Sequence, residues 1–328
     1  MADVSTPNSE PKGRLARIID SDLFHSFLRS KVTVVAAVMT LILFLVAFLA
    51  PWVAPHNPFD LATISILDAR VPPVWMEFAD PRFLLGTDDQ GRDLLSGIFY
   101  GMRISLIVGF CSVIAAAIIG ITAGLVAGYM GGRVDAIIMR IADVQLTFPA
   151  ILIALLIDGV AAGIFGGIDR EVFAFYILIV ALALSFWVQY ARTVRGSTMV
   201  EKNKEYVQAA RVIGIPSVII MVRHILPNVM GPVLVIATIN LALAIVTESS
   251  LSFLGVGMPP TQPSLGTLIR IGQEFLFSGE WWILFFPAMT LLALALSVNL
   301  LGDWLRDALN PDRKEHTSEL QSPDHLVC

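Results

Sequence analysis

The residues of this chain whose types could do chemistry are few, and their spacing argues against catalysis. Five histidines are scattered over 328 residues, and of these only His224 lies in a segment with a regular non-membrane pattern. Cys111 sits inside an apolar run and Cys328 is the last residue, so the two form neither a disulfide framework nor a metal-ligand spacing. No Gly-x-x-x-x-Gly-Lys-Ser/Thr phosphate loop, His-Glu-x-x-His pair or Gly-x-Ser-x-Gly nucleophile turn occurs. The expectation is a chain that is not an enzyme and has no cofactor or metal of its own. What remains is contact chemistry. In EYVQAARVIGIPSVIIMVRHILPN, from Glu205 to Asn228, small, apolar and helix-ending residues recur at regular intervals.

Tyr206, Ala209, Ala210 and Ile213 fall at i, i+3, i+4 and i+7, which makes one apolar stripe on a short helix. Asn203 is placed to cap its start, and Glu205 suits the positive end of the helix dipole. Gly214 can take the left-handed conformation that ends a helix, and Pro216 blocks its continuation. Ser217 is placed to cap a second short helix that runs to Ile225 and stops at Pro227. By periodicity alone, the stripe suits a helix docking into a groove and one resting on lipid headgroups equally.

The elements that must position this loop are membrane spans. Apolar residues make up 56% of the chain and charged residues 15%, against about 45–50% and about 25% in an ordinary soluble domain. The mean hydropathy of +0.75 points the same way. A polar shell for a soluble enzyme is lacking, and disorder is excluded because the chain is too apolar to stay expanded. The net charge of −5 gives no sign of a nucleic-acid partner. A helical crossing takes about 20 mostly apolar residues, and six stretches qualify: 32–54, 104–130, 134–157, 172–191, 229–247 and 281–302. The fold class is therefore all-α and polytopic. A tail over 1–31, an external segment over 55–103, a long basic loop over 192–228 and a short end over 303–313 complete the organisation. Sixteen of the 22 lysines and arginines fall on one side if the N-terminus is cytoplasmic, which places both termini and the 192–228 loop inside. Residues 314–328 abandon the preceding composition and resemble the translation of a sequencing adapter, so they are read as non-native and no role is expected of them.

Polar residues near the spans have two readings each. Glu248, with Ser249 and Ser250, is either part of an external gate or pore or a capped helix end at the interface. Arg140 and Asp143 stand at i, i+3 and can pair along one helix face. Pro149 and Pro287 interrupt apolar runs and mark bends. The stretch from Asp88 to Arg103 alternates in charge and reads by default as a solvated face. No substrate-contacting residue is assigned.

The loop resembles the coupling motif of ATP-binding-cassette importer permeases: Glu-Ala-Ala, three residues, Gly, nine residues, then Ile-x-Leu-Pro. Ala209, Ala210, Gly214, Leu226 and Pro227 match in register, while Gln208 replaces the Glu and His224 an Ile. Both replacements, with Tyr206 ahead of the alanines, are similar to the peptide-permease branch. Leu85-Gly86-Thr87-Asp88-x-x-Gly91-Arg92-Asp93, Ala127-Gly128-Tyr129-x-Gly131-Gly132, Glu248-Ser249-Ser250-Leu251-Ser252-Phe253 and Gly302-Asp303-x-Leu305-Arg306-Asp307 resemble further signatures of that branch, over roughly residues 25–313. The resemblance implies a type I importer-like fold with six spans and a cytoplasmic coupling helix, acting as the second permease subunit for dipeptides or oligopeptides in a bacterial inner membrane. It implies as partners a homologous permease, two ATP-binding subunits that hold ATP and Mg, and a periplasmic binding protein. It also implies ATPase coupling at Glu205–Pro227 and external docking at Gly86, Asp88, Gly91, Arg92 and Asp93. Nickel, glutathione or another small solute is the alternative cargo. An ion-coupled secondary transporter would need midplane charges and inverted repeats, which the spans lack.

Overall fold

The computed structural model describes residues 27–60, 64–165 and 167–309, so the 314–328 tail and most of the 1–31 segment lie outside the described residues. Among the described residues there is no strand, only an isolated bridge between Thr87 and Asp93. Five helices are long and apolar enough to cross a membrane, and six crossings result if one sharply bent pair counts as a span.

The helices are α1 (Lys31–Phe48), α2 (Leu94–Met130), α3 (Gly132–Leu146), α4 (Ala150–Phe165), α5 (Gly167–Glu201), α6 (Glu205–Val212), α7 (Leu226–Phe253), α8 (Leu265–Phe275) and α9 (Trp282–Leu309). Three expected boundaries move because caps lie further out than the apolar runs. α2 begins ten residues before 104, where the Asp93 carboxylate accepts from Ser96 N at 3.0 Å. α5 continues past 191 to Glu201, and α7 continues past 247 to Phe253. The expected single span over 134–157 is not one straight helix. It breaks before Pro149, and α3 and α4 meet at 93°. Proline disfavours the helical conformation in the residue before it and supplies no N–H, so the corner falls there. Pro287, by contrast, stays inside α9.

α2 and α5 form the most extensive helix pair. Gly120, Gly124 and Gly128 recur every four residues on α2, and a Cβ there would stand 2.4 Å from Trp187 O, 2.5 Å from Ala191 O and 2.7 Å from Thr198 Cβ. The backbones of the two helices touch along this seam because no side chain separates them. α7 packs on both α2 and α5, α9 packs on α7 and α8, and α1 lies outside against α9 and α2. α3 is tethered to α5 by ion pairs from Asp135 to Arg195 and from Asp143 to Arg192, the latter at 2.5 Å. The expected Arg140–Asp143 pair is not made, because Asp143 turns to the neighbouring helix instead.

Gly124→Leu should therefore destabilise the chain by at least the 1–3 kcal/mol or so typical of overpacking, whereas Gly196→Leu, with open space around it, should not. Thermal melting of the detergent-solubilised protein, followed by size-exclusion chromatography, separates the two. Equal melting temperatures would show that the seam is not tightly packed.

Candidate functional site

At the end of α5 the chain turns into α6. Lys204 rather than Asn203 occupies the N-cap, and the Asn203 amide instead donates to Met199 O at 3.0 Å. The C-terminus closes as expected at Gly214, which has φ +83°. Gly214 N donates to Arg211 O at 3.0 Å and Ile215 N to Ala210 O at 3.1 Å, the pair of bonds that defines a Schellman motif. Ile215 then packs on the apolar cluster that includes Val207 and Ala210. These residues form the inner face of α6. The expected stripe of Tyr206, Ala209, Ala210 and Ile213 is split by this packing. Ala210 is buried, while Ala209 and Ile213 face outward with Glu205, Gln208 and Val212.

Polar contacts fix α6 and its flanking residues to the bundle. Tyr206 OH donates to Glu201 Oε1 at 2.5 Å and accepts from Asn228 Nδ2 at 2.9 Å, and Asn228 also donates to His224 O at 2.8 Å. Burial and then the Glu201 hydrogen bond push the Tyr206 phenol above its ordinary range, so it remains a donor at neutral pH. Lys204 Nζ pairs with Glu201 Oε2 at 2.8 Å. Arg211 lies over the Tyr129 ring at 4.8 Å, and Lys202 Nζ reaches Gly128 O at 2.6 Å, so the loop is also held to the end of α2.

The second short helix does not stop at Pro227, nor does Ser217 cap it. Pro216 precedes the first turn, the chain passes through a π turn over Ile220–Ile225, and Pro227 lies at the start of α7. A proline at the first turn forfeits only an N–H that has no helical partner, and the widened turn absorbs the ring. Residues 217–253 thus run as one bent helix. His224, expected as a motif position, contributes its carbonyl to the network, and Leu226 packs on the core.

At the opposite end of the bundle, Glu248 is not a capped helix end. It lies inside α7, is fully buried, and accepts from Ser252 Oγ at 2.8 Å and Ser249 Oγ at 3.2 Å. Ser105 of α2 and Ser264 before α8 lie close by, and Ser105 Oγ accepts from Leu265 N at 3.4 Å. The carboxyl, 0% exposed, lies where α7, α2 and the start of α8 meet. Ser250 turns away and bonds Val246 O at 2.8 Å.

The Asp88–Asp93 stretch is likewise not a solvated face. Asp88, Arg92 and Asp93 are 2%, 5% and 4% exposed, too buried to form a docking surface themselves. Arg92 Nε donates to Asp88 Oδ2 at 2.6 Å and Nη1 to Pro260 O at 3.0 Å, which ties this turn to the chain between α7 and α8. Gly86 and Gly91 take φ +83° and +81°, and a Cβ would meet Val71 O at 2.5 Å and Ser65 O at 2.2 Å. Their spacing signals a tight turn, which is a structural rather than a docking role.

Asp88→Ala would leave Arg92 buried without its carboxylate, a cost of about 3–5 kcal/mol. The Asp88→Leu/Arg92→Met double variant should melt closer to the wild type than the single variant does. A double variant that melts lower than Asp88→Ala would show that the ion pair is not what Asp88 supplies.

Comparison with known proteins gives these elements a context. A family model described as binding-protein-dependent transport system inner membrane component matches residues 120–315, and one described as the N-terminal TM domain of oligopeptide transport permease C matches residues 21–73. The chain is 36% identical to the di/tripeptide transport system permease protein DppC of Pseudomonas aeruginosa, over 89% of this chain and 92% of the relative. It is 35% identical to the dipeptide transport system permease protein DppC of Haemophilus influenzae, over 90% and 95%. With the Escherichia coli K12 protein of the same description it shares 39%, over 90% and 93%. On this agreement in sequence and length, the chain belongs to the inner-membrane components of binding-protein-dependent transport systems, the permeases of ATP-binding-cassette importers.

Proposed function

We propose that the chain forms half of the translocation pore for short peptides, and that α6 transmits the movement of ATP-hydrolysing partner subunits. The peptide cargo is supported by the descriptions of the relatives. The partners in this reading are a homologous permease, two ATP-binding subunits that hold ATP and Mg, and an external binding protein. Both termini and α6 face the cytoplasm of a bacterial cell.

The observation that carries the coupling role is the two-sidedness of α6. Val207 and Ala210 fix one face to the bundle, while Val212 and Ile213 on the other face are 89% and 77% exposed beside the small Ala209. An alanine at the centre of an exposed face lets another surface approach closely, and the apolar residues beside it supply the anchors. Because Tyr206, Glu201 and Asn228 link α6 to the ends of α5 and α7, a force on its outer face moves those helices rather than bending the loop. Two packed arrangements of the spans then suffice for alternating access.

Ala209→Asp should abolish co-purification of the ATP-binding subunits while leaving the permease folded, since position 209 is exposed. Gly214→Val should do the same, through about 1–2 kcal/mol of strain at a positive φ and added bulk beside the outer face. Co-purification and uptake at wild-type levels in both variants would remove α6 from the coupling role. A Val212→Cys variant should react with a membrane-impermeant thiol reagent in inverted vesicles and not in intact spheroplasts. Labelling from outside would reverse the topology.

A further inference from the structure

We propose that the outer end of α2 carries an anion subsite, built on Arg103, that takes the carboxylate of the transported solute. A cavity of about 600 Å³ lies between the 55–103 segment, α2 and the chain before α8, within the roughly 300–1,000 Å³ range of small-ligand sites. Tyr100, Arg103, Ile104 and Ile107 line it from one face of α2, and Phe59 meets Tyr100 edge-on at 5.1 Å. Arg92 is 5% exposed and spends Nε on Asp88 and Nη1 on Pro260 O, and its unpartnered Nη2 is sealed from solvent, so Arg92 braces the wall and offers the cavity no free nitrogen. Arg103 Nε is likewise sealed, whereas its two terminal nitrogens remain accessible and make no hydrogen bond among the described residues. No aspartate or glutamate is among the described lining residues, so none of these neutralises Arg103.

A guanidinium that makes no hydrogen bond to the protein is free to take a ligand, and a carboxylate is the group whose two oxygens match its geometry. Gln90 and Gln262 carry amide carbonyls able to accept from an ammonium, and the Phe59–Tyr100 wall suits an apolar side chain. A small zwitterion with apolar substituents satisfies all three features. The identification of that solute as a peptide rests on the function proposed above; the anion subsite rests on the geometry.

The test uses the assembled transporter in phosphatidylcholine nanodiscs, carrying Thr261→Cys at the cavity wall in a Cys111→Ser, Cys328→Ser background. Millimolar Ala-Phe should slow maleimide labelling of the new cysteine, and its C-terminal amide should need about a tenfold higher concentration. Arg103→Gln should remove that difference without lowering the melting temperature, because Arg103 makes no hydrogen bond or ion pair among the described residues. Equal protection by peptide and amide, or protection unchanged by Arg103→Gln, would overturn the subsite. Protection by phosphatidylglycerol nanodiscs without peptide would also overturn it, by showing a lipid phosphate as the occupant. Uptake of Ala-Phe by proteoliposomes with the binding protein is measured in parallel. Uptake without protection sinks the subsite and spares peptide import. Carboxylate-dependent protection without uptake keeps the subsite and sinks peptide import.

Discussion

The close approach of α2 and α5 along Gly120, Gly124 and Gly128 is the contact on which the rest of the structure depends. Lipid tails are as apolar as leucine, so helices in a bilayer gain nothing by hiding apolar side chains from solvent. Close van der Waals packing between small residues must supply the association instead. The seam fixes how far α2 can slide or rotate against α5. It thereby places Tyr129 under Arg211 and the Gly128 carbonyl in reach of Lys202. The loop that carries α6 is therefore fastened to the inner end of the same helix pair that forms the centre of the bundle.

α2 also joins the two ends of the molecule. Its 37 residues extend about 55 Å at 1.5 Å per residue. Asp93 caps one end beside the Asp88–Arg92 pair, and Ser105 further along accepts from Leu265 N at the start of α8, close to Glu248. The other end holds Arg211 of the α6 turn. A single rod thus bears the outer turn, the buried serine–carboxyl cluster and the inner latch. Movement at one end reaches the other without passing through a loop.

Span number and class were legible in the sequence because apolar runs of the required length are rare outside membranes. The Gly214 stop was legible because a glycine followed by a proline two residues on leaves few other conformations. Boundaries were not, since Asp93 caps α2 ahead of its apolar run and Glu248 lies inside α7, and hydropathy alone assigns such residues to loops. The inner face of α6 was missed for a related reason. Periodicity identifies an apolar stripe but not which part of it meets the same chain, and here Val207 rather than Tyr206 turns inward. The glycine seam was visible as a four-residue repeat, the small-residue pattern of close-packed membrane helices. The Asp88–Arg92 ion pair was hidden because alternating charge looks the same whether solvated or folded on itself. Its i, i+4 spacing and the flanking glycines were the available signals.

Rigid attachment of α6 to the bundle is the central claim, and one distance distribution tests it most directly. Spin labels at Val212 of α6 and Val180 of α5, both exposed positions, report the separation of the outer face of α6 from its own span. In the assembled transporter, pulsed electron–electron resonance should give one narrow distribution that is the same without nucleotide and with ATP trapped. A shift or broadening between the two states would show that the loop flexes on its own, and that α6 does not carry force to the spans as a fixed part of them.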